Sequence, residues 1–387
     1  MNNIKTKKVF SIESFIFLII FFGLFGYLAA KMGISNMMNT LMNTAYALLM
    51  DTVFYIMAIS VLAGALSGIF TEFGIIAIIN KLLSPLMKPL FGLPGAAALG
   101  VLSTFLSDNP AILALADDAS FKRYFKKYQL PALTNLGTGF GMGLIVVTFM
   151  IGLHPIDDSN FALAAILGLL GAAIGSLISV RIMLHFTKKE INMNEEAYEG
   201  KDKAKMIEDM YVIHDGSISN RAMNALLEGG KQGVKLGMDI IPGVLIICTL
   251  VMMLTNGAPE TGFSGAVYEG VYLFPKIANS LDFILTPLFG FSSPECIAVP
   301  ITALGSSGAS IGLVPGLVAN GLANGNDIAV FTSMCMCFSG YLSTHVAMMD
   351  VLGFPKLTGK SILSHTIGGL CAGISAHFLY LLFTVIL

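Results

Sequence analysis

The tetrapeptide Pro89-Leu90-Phe91-Gly92 recurs as Pro287-Leu288-Phe289-Gly290, 198 positions further on. The same offset aligns Thr104 with Thr302, Ala111 with Ala309, Leu115 with Leu313, Thr134 with Thr332 and Phe140 with Phe338. It also aligns Gly171 with Gly369 and Gly175 with Gly373. An offset held over so long a stretch means two copies of one folding unit, and a fold read without the duplication is misread. The chain must therefore build two similar halves.

The medium is set by composition. Only 12% of the 387 residues are charged and 55% are hydrophobic, against about 25% charged in soluble domains. Several runs reach the roughly 20 helical residues that cross a hydrocarbon layer, so the chain is an integral membrane protein. Trp is absent, which leaves Tyr and Phe for any interfacial belt. A net charge of -2 offers nothing to nucleic acid. The cysteines Cys248, Cys296, Cys335, Cys337 and Cys371 lie in apolar or hairpin segments and are odd in number, so they read as packing residues. Lys5, Lys7 and Lys8 precede an apolar run to Ala30 that is long for a signal peptide and reads as a retained first span.

Spans are expected at Phe15–Met32, Leu48–Phe70, Pro131–Leu153, Phe161–Phe186, Leu236–Leu254, Ile328–Val351 and Ile362–Leu387. Ile75–Leu90, with Lys81, Lys88, Pro85 and Pro89, suits an interfacial helix, and Val271–Leu288 resembles it. Lys188–Gly230 is expected as the one sizeable aqueous loop, and Gly33–Thr44 as a short outer one. Two apolar stretches are broken in the middle: Leu93–Ala116 at Ser107-Asp108-Asn109-Pro110, and Ser292–Val318 at Gly305-Ser306-Ser307-Gly308. Basic clusters lie near Lys81, at Lys122–Lys127, from Arg181 through Lys201, Lys203 and Lys205 to Lys235, and at Lys356 and Lys360. All fall on the cytoplasmic side only if both broken stretches turn back to the face they entered from.

That bookkeeping predicts an all-α membrane protein with inverted repeats, each holding a re-entrant helical hairpin. About seven spans and two hairpins result, with the N-terminus in the cytoplasm of a plasma-membrane protein. The expected division is an extra N-terminal helix (1–44), a first repeat (45–187), a charged cytoplasmic loop (188–230) and a second, inverted repeat (231–387). Inverted repeats with broken helices are the architecture of secondary transporters.

Irregular backbone at membrane depth persists only when buried in protein or lining a wet cavity. Two tips at equivalent positions therefore point to one shared cavity, lined by Ser107, Asp108, Asn109, Ser306 and Ser307. Half-helix N-termini there favour anions or polar groups, and C-terminal carbonyls favour cations. Asp108 reads equally as a Na⁺ or H⁺ coupling group and as a helix cap. Asn109 before Pro110 has the form of an N-cap. Glu295, at the entrance of the second hairpin, joins the candidate set, as do Thr134, Asn135 and Ser333 on the helices after the hairpins, where interhelical hydrogen bonding is the competing role. Gly137, Gly139, Gly141 and Gly143 read as a close-packing stripe. His345, His365 and His377 read as packed, satisfied histidines, with a proton role the sharper alternative. Asp51 and Asp239 read as interfacial first-turn acids.

Pro89-Leu-Phe-Gly-Leu-Pro94, Ser107-Asp-Asn-Pro-Ala-Ile112 and Phe289-Gly-Phe-Ser-Ser-Pro-Glu295 resemble the Gate domain superfamily, or nucleoside-recognition domain proteins, over roughly residues 45–387. That superfamily holds concentrative nucleoside transporters, ferrous-iron transport B proteins and spore maturation proteins. The resemblance implies opposed hairpins, a midplane site, an oligomer and an elevator-like step. Ser107 stands where iron-type hairpins carry Cys, and the Asn-Glu-Phe-Val-Ala stretch of nucleoside transporters is missing, so neither iron nor nucleoside follows.

No Walker-type loop, HExxH or nucleophile elbow is present, and no enzyme is expected. The reading is a transporter of a small polar solute (nucleoside-like, amino-acid-like or an organic ion). It is coupled to Na⁺ or H⁺, needs no cofactor beyond a Na⁺ if that is the ion, and sits in the bilayer as a homo-oligomer. A non-transporting regulator of the spore-maturation type and a passive channel are the alternatives.

Overall fold

The computed structural model describes residues 10–109, 111–112, 116, 119–198 and 213–386. Lys5, Lys7, Lys8, Pro110, Leu115, Lys201, Lys203, Lys205 and Leu387 lie outside the described residues. Six helices are long and apolar enough to cross a membrane. The described residues form helices and turns, with one isolated antiparallel bridge between Lys126 and Glu196.

Helix α1 (Ile12–Met32) turns most of its side chains outward, with Phe15, Phe17, Ile19 and Phe22 exposed, as a lipid-facing span requires. Only its end is covered: Leu28 and Met32 pack with Met37, Met253, Leu254 and Val271. Helix α2 (Ile34–Glu72) runs unbroken for 39 residues, about 58 Å at 1.5 Å per residue. The expected outer loop at 33–44 is therefore helical. Its sequence holds no Gly or Pro after Gly33, and its polar side chains are used: Asn36 and Asn43 donate to the carbonyls of Phe263 and Gly265. The second long helix, α8 (Ile218–Thr255), likewise starts inside the stretch expected as a loop, where the Ser217 hydroxyl caps it by accepting from Asn220 N–H.

These two helices lie antiparallel along their length. A Cβ added to Gly64 would fall 2.3 Å from Gly229 O, and one on Gly229 2.1 Å from Gly64 O. Further along, Gly68 meets Ala225 O and Gly233 meets Ser60 O, each at 2.2 Å. Backbones this close need residues without side chains, the small-residue packing of membrane helices. Each helix contains one π-turn, Leu48–Val53 in α2 and Val244–Cys248 in α8. Asp51 sits within the first and Asp239 five residues before the second. Neither opens a helix, which corrects the first-turn reading of both.

The other repeat-related pair behaves alike. Helix α7 (Phe161–Glu190) and the C-terminal helix, numbered α15 below (Thr358–Ile386), exchange Gly175 against Gly368 O at 2.4 Å and Gly368 against Gly175 O at 2.6 Å. Moving up α7 moves down its partner: Gly171 meets Ala372 and Ala376. Helices that the 198-residue offset equates therefore run in opposite directions, which is the inverted repeat.

The repeated tetrapeptide ends an interfacial segment in each copy. Helix α3 (Ile75–Leu86) and a π-turn (Met87–Phe91) stop at Gly92, φ 74°. Helices α9 (Leu273–Ser280) and α10 (Asp282–Phe289) stop at Gly290, φ 62°. Glycine alone takes this left-handed cap without strain. Each freed carbonyl is then held by the start of the helix after the hairpin: Gln129 Nε2 donates to Gly92 O at 3.2 Å, and Asn326 Nδ2 to Gly290 O at 2.8 Å.

The hairpins follow. In the first, α4 (Ala97–Leu106) leads to the turn at Ser107–Asn109, and the returning chain places Ile112 against Gly100 and Gly137. In the second, α10 bends by 80° into the limb Pro294–Ala303, which contains α11 (Ala298–Ala303), and the chain returns in α12 (Ser307–Ala319). Limbs of 10 to 13 residues span about 15–20 Å, half of the hydrocarbon layer.

The helices after the hairpins are interrupted. Helix α5 (Leu130–Thr138) gives way to turns at 139–142 before α6 (Gly143–Gly152), and α13 (Gly325–Phe338) breaks at Ser339–Gly340 before α14 (Tyr341–Val351). Left-handed residues end both breaks: Met142, φ 53°, and Gly340, φ 66°, which are 198 positions apart. The glycines from 137 to 143 pack closely as expected, against Ile112, Ser176, Asn109 and Phe105 in turn, and they also hold a break in the helix.

Candidate functional site

Asn109 carries the contact between the repeats. It is 1% exposed, and its Nδ2 donates to Ser339 O, in the break of the other repeat, at 2.7 Å. Its Oδ1 faces Gly141, where an added Cβ would lie 1.6 Å away, and has no hydrogen-bond partner among the described residues. Among the described residues its side chain caps no N–H of the returning limb, which corrects the expected N-cap role; Asp108 O accepts from Ala111 N–H at 2.9 Å, Asn109 O from Ile112 N–H at 3.4 Å, and Asp108 Oδ1 from Asn109 N–H at 2.7 Å. Asn109 thereby keeps its amide free for the second repeat.

The second tip closes on the same break from the other side. The Ser306 hydroxyl accepts from Ala309 N–H at 3.2 Å and starts α12. Ser307 Oγ donates to Cys335 O at 2.8 Å, and Gly340 N–H donates to Ala303 O at 2.9 Å. A Cβ on Gly340 would lie 3.0 Å from Gly305 O. Helix α8 covers this tip, with Gly243 beneath the Ser306 hydroxyl and Ile240 against Gly308. Asp239 of α8 is near enough to Asp108 for the two carboxyl groups to interact electrostatically.

Ser107, Asp108, Asn109, Ser306 and Ser307 are thus gathered with Gly141, Ser339, Gly340 and Asp239 where four backbone breaks converge. Asn109 and Ser307 are buried, while Ser107, Asp108 and Ser306 are half-buried. The C-termini of α5 and α13 and the N-terminus of α12 are directed here, so helix-end carbonyls and N–H groups stand in one place, with Cys335 O, Cys337 O and Ser339 O already accepting hydrogen bonds. None of these residues is basic. A polar solute with donors and acceptors, or a cation beside the acids, matches that chemistry.

The remaining candidates are not brought to the tips. Asn135 is wholly engaged between α7 and α15: its Nδ2 donates to Ser179 Oγ at 2.8 Å and Ser364 Oγ at 2.9 Å, and its Oδ1 accepts from Ser361 Oγ at 2.7 Å. Thr134 Oγ1 donates to Met349 Sδ, and Ser333 Oγ to Val330 O of its own helix. Glu295 lies at the hairpin entrance, near enough to Tyr272 for the two to interact electrostatically. His365 and His377 are partnered as expected, but neither ring nitrogen of the buried His345 has a partner. Asp327, not singled out by its sequence, is fully buried and holds Ser292 N–H, Ser292 Oγ and Asn324 N–H. It ties the second hairpin's base to α13. A cavity of about 470 Å³ lies along the other end of α12, lined by Asp51, Thr52, Tyr55, His154, Asn256 and Asn320 among others.

The described residues contain no cluster of three or more His, Cys, Asp or Glu able to hold a metal. No family model and no curated protein matches the chain. Solved structures do. CNTnw in an inward-facing substrate-bound state is 12% identical, covers 95% of this chain and 84% of its own, and superposes with a TM-score of 0.54. A doubly substituted CNTnw in an outward-facing state is 11% identical, covers 86% and 79%, and gives 0.52. CNTnw is a concentrative nucleoside transporter. This chain has that fold. At this identity the likeness speaks for the fold of an all-helical, multi-pass membrane protein.

Proposed function

We propose that the chain is a secondary transporter that moves a small polar solute by alternating access around the two hairpin tips, driven by a Na⁺ or H⁺ gradient. The observation that carries this is the Asn109–Ser339 hydrogen bond. It joins the tip of one inverted repeat to the break of the other, the midplane arrangement on which such transporters operate. Nucleosides head the list of solutes because CNTnw is a nucleoside transporter; amino acids and organic ions follow. Asp108, beside Asp239 and without a basic partner among the described residues, is the coupling group. A homo-oligomer in the plasma membrane, with the N-terminus in the cytoplasm, completes the reading, and the tips travel by an elevator-like step.

Reconstitution into liposomes tests it. Accumulation of a solute above its outside concentration, dependent on an imposed Na⁺ or H⁺ gradient, is the expected result. Downhill flux alone would make it a channel, and no flux with any solute that stabilises the protein would make it a regulator. Asp108→Asn is expected to abolish gradient-driven accumulation; unchanged accumulation would remove Asp108 from the coupling role.

A further inference from the structure

Immediately beyond the second break, α14 carries Tyr341 and His345, and α15 carries His365. Their rings form one buried cluster. His345 lies 4.7 Å from His365 and 5.5 Å from Tyr341 between centroids, and Tyr341 lies 5.3 Å from His365. Two of the three are tied down. Tyr341 OH shares a hydrogen bond with Thr366 Oγ1 at 2.8 Å. His365 Nε2 stands 2.5 Å from Cys337 O, and a carbonyl can only accept, so Nε2 carries the hydrogen and Nδ1 accepts from Ser179 Oγ at 3.1 Å. His345 is 0% exposed, and neither of its nitrogens has a partner among the described residues. Each orphaned buried polar atom keeps its full desolvation penalty. Simple packing would be served better by an apolar side chain of similar size.

We propose that His345 is a proton site that controls the break between α13 and α14, an inference that rests on the transporter reading for its purpose but not for its chemistry. A proton from the aqueous face adds to a lone pair on the His345 ring and makes an imidazolium. The same proton leaves to water when the site faces the other side, so the cycle balances. The carbonyls along the end of α13 connect this charge to the tips: Cys337 O holds His365, Cys335 O holds Ser307, and Ser339 O holds Asn109. Among the described residues, the Tyr341 main chain and His365 are the groups that act on the His345 ring. The elements chiefly packed on α14 are α5, α15 and the turn Pro355–Leu357. Helix α5 has no titratable side chain, α15 offers the neutral His365 and a distant Lys360 paired with Glu190, and the turn offers the exposed Lys356. On α14 itself the titratable neighbours are Tyr341 and the exposed Asp350. An imidazolium without a counter-ion persists only while water reaches it, so occlusion expels the proton.

Two measurements test this without any solute. In wild-type protein in bilayers with ¹⁵N-labelled histidine, one buried imidazole is expected to convert to imidazolium between pH 9 and pH 5, and its signal to be absent from His345→Gln. If that variant fails to fold, single Gln variants of the other five histidines assign the signal by elimination. A His345 that stays neutral over this range would overturn the proposal. The second readout is the rate at which Ser306→Cys reacts with a methanethiosulfonate. A pH step beyond thiolate formation is expected with His345 present and not with His345→Gln, whereas identical profiles would overturn the control assigned to His345. Accumulation driven by Na⁺ and indifferent to pH would overturn the proton site and leave the transporter reading standing. Absence of all uptake would count against the transporter reading alone.

Discussion

Asn109 and Asn135 are both buried asparagines that bridge the two repeats, and they separate a site role from a packing role. Asn135 has all its polar atoms paired by α7 and α15. Replacing it with Ala leaves Ser179, Ser361 and Ser364 short of partners, a loss of about 1–2 kcal/mol in a membrane interior. Thermal unfolding of Asn135→Ala is expected to show that loss while the apparent affinity for solute stays within about threefold of wild type. Asn109 is placed by the absence of a side chain at Gly141, so Gly141→Ala must push its amide away from Ser339 O. Overpacking costs about 1–3 kcal/mol in stability. The expected signature is different: uptake falls by tenfold or more and solute no longer raises the melting temperature, even where the apo protein still folds. An equal loss of solute response in Asn135→Ala would move Asn135 into the site.

Helices and hairpins differed in how plainly the residue order announced them. The hairpins were legible because Ser-Asp-Asn-Pro and Gly-Ser-Ser-Gly interrupt runs that are otherwise apolar, and lipid does not tolerate bare backbone. The breaks at 139–142 and Ser339–Gly340 were not, because Gly137, Gly139, Gly141 and Gly143 spell the same pattern as close helix packing. Only the equivalence of Met142 with Gly340, both left-handed, separates the two, and that is a property of φ and not of composition. Half of the site was missed for this reason. The extensions of α2 and α8 past the hydrocarbon layer were missed because length limits were drawn from hydropathy, while their stability comes from each other through Gly64, Gly229 and Gly233. Gly229→Leu is expected to lower the melting temperature by several degrees, since its Cβ would meet Gly64 O; an unchanged midpoint would contradict the close approach. Where α2 ends and α8 begins, His214 hydrogen-bonds Glu72 and Glu228, and Arg221 Nε donates to Glu72. The bond to Glu72 raises the His214 pKa above its ordinary value against the smaller opposing pull of burial. A raised folded-state pKa stabilises fully below the unfolded value of about 6.5 and is lost as pH climbs through the folded one. Wild type should therefore melt above His214→Gln at pH 6, and the gap should close by pH 9. A gap independent of pH would show packing and not charge.

Inversion is the property on which every functional statement about this molecule depends, because alternating access needs two halves that present the same machinery to opposite faces. Inside the protein it shows as antiparallel contact between equivalent helices, Gly175 with Gly368 above all. With respect to the membrane it can be read from two positions that the 198-residue offset equates. Asp158 lies in the exposed connection before α7, and Lys356 in the exposed turn before α15. In a parallel repeat these residues would share a face; in an inverted one they must not. The positive-inside rule gives the expected direction: Lys356 and Lys360 toward the cytoplasm, and Asp157 and Asp158 toward the outside. In intact cells a membrane-impermeant maleimide is expected to modify Asp158→Cys and to leave Lys356→Cys untouched until the membrane is opened. The native thiols do not confuse the reading, since Cys248, Cys296, Cys335 and Cys337 are buried and Cys371 is half-buried. Equal labelling of both positions from outside would place the two hairpins on one face. The contact between Asn109 and Ser339 would then join two parallel units, and a site reached alternately from either side would have no structural basis.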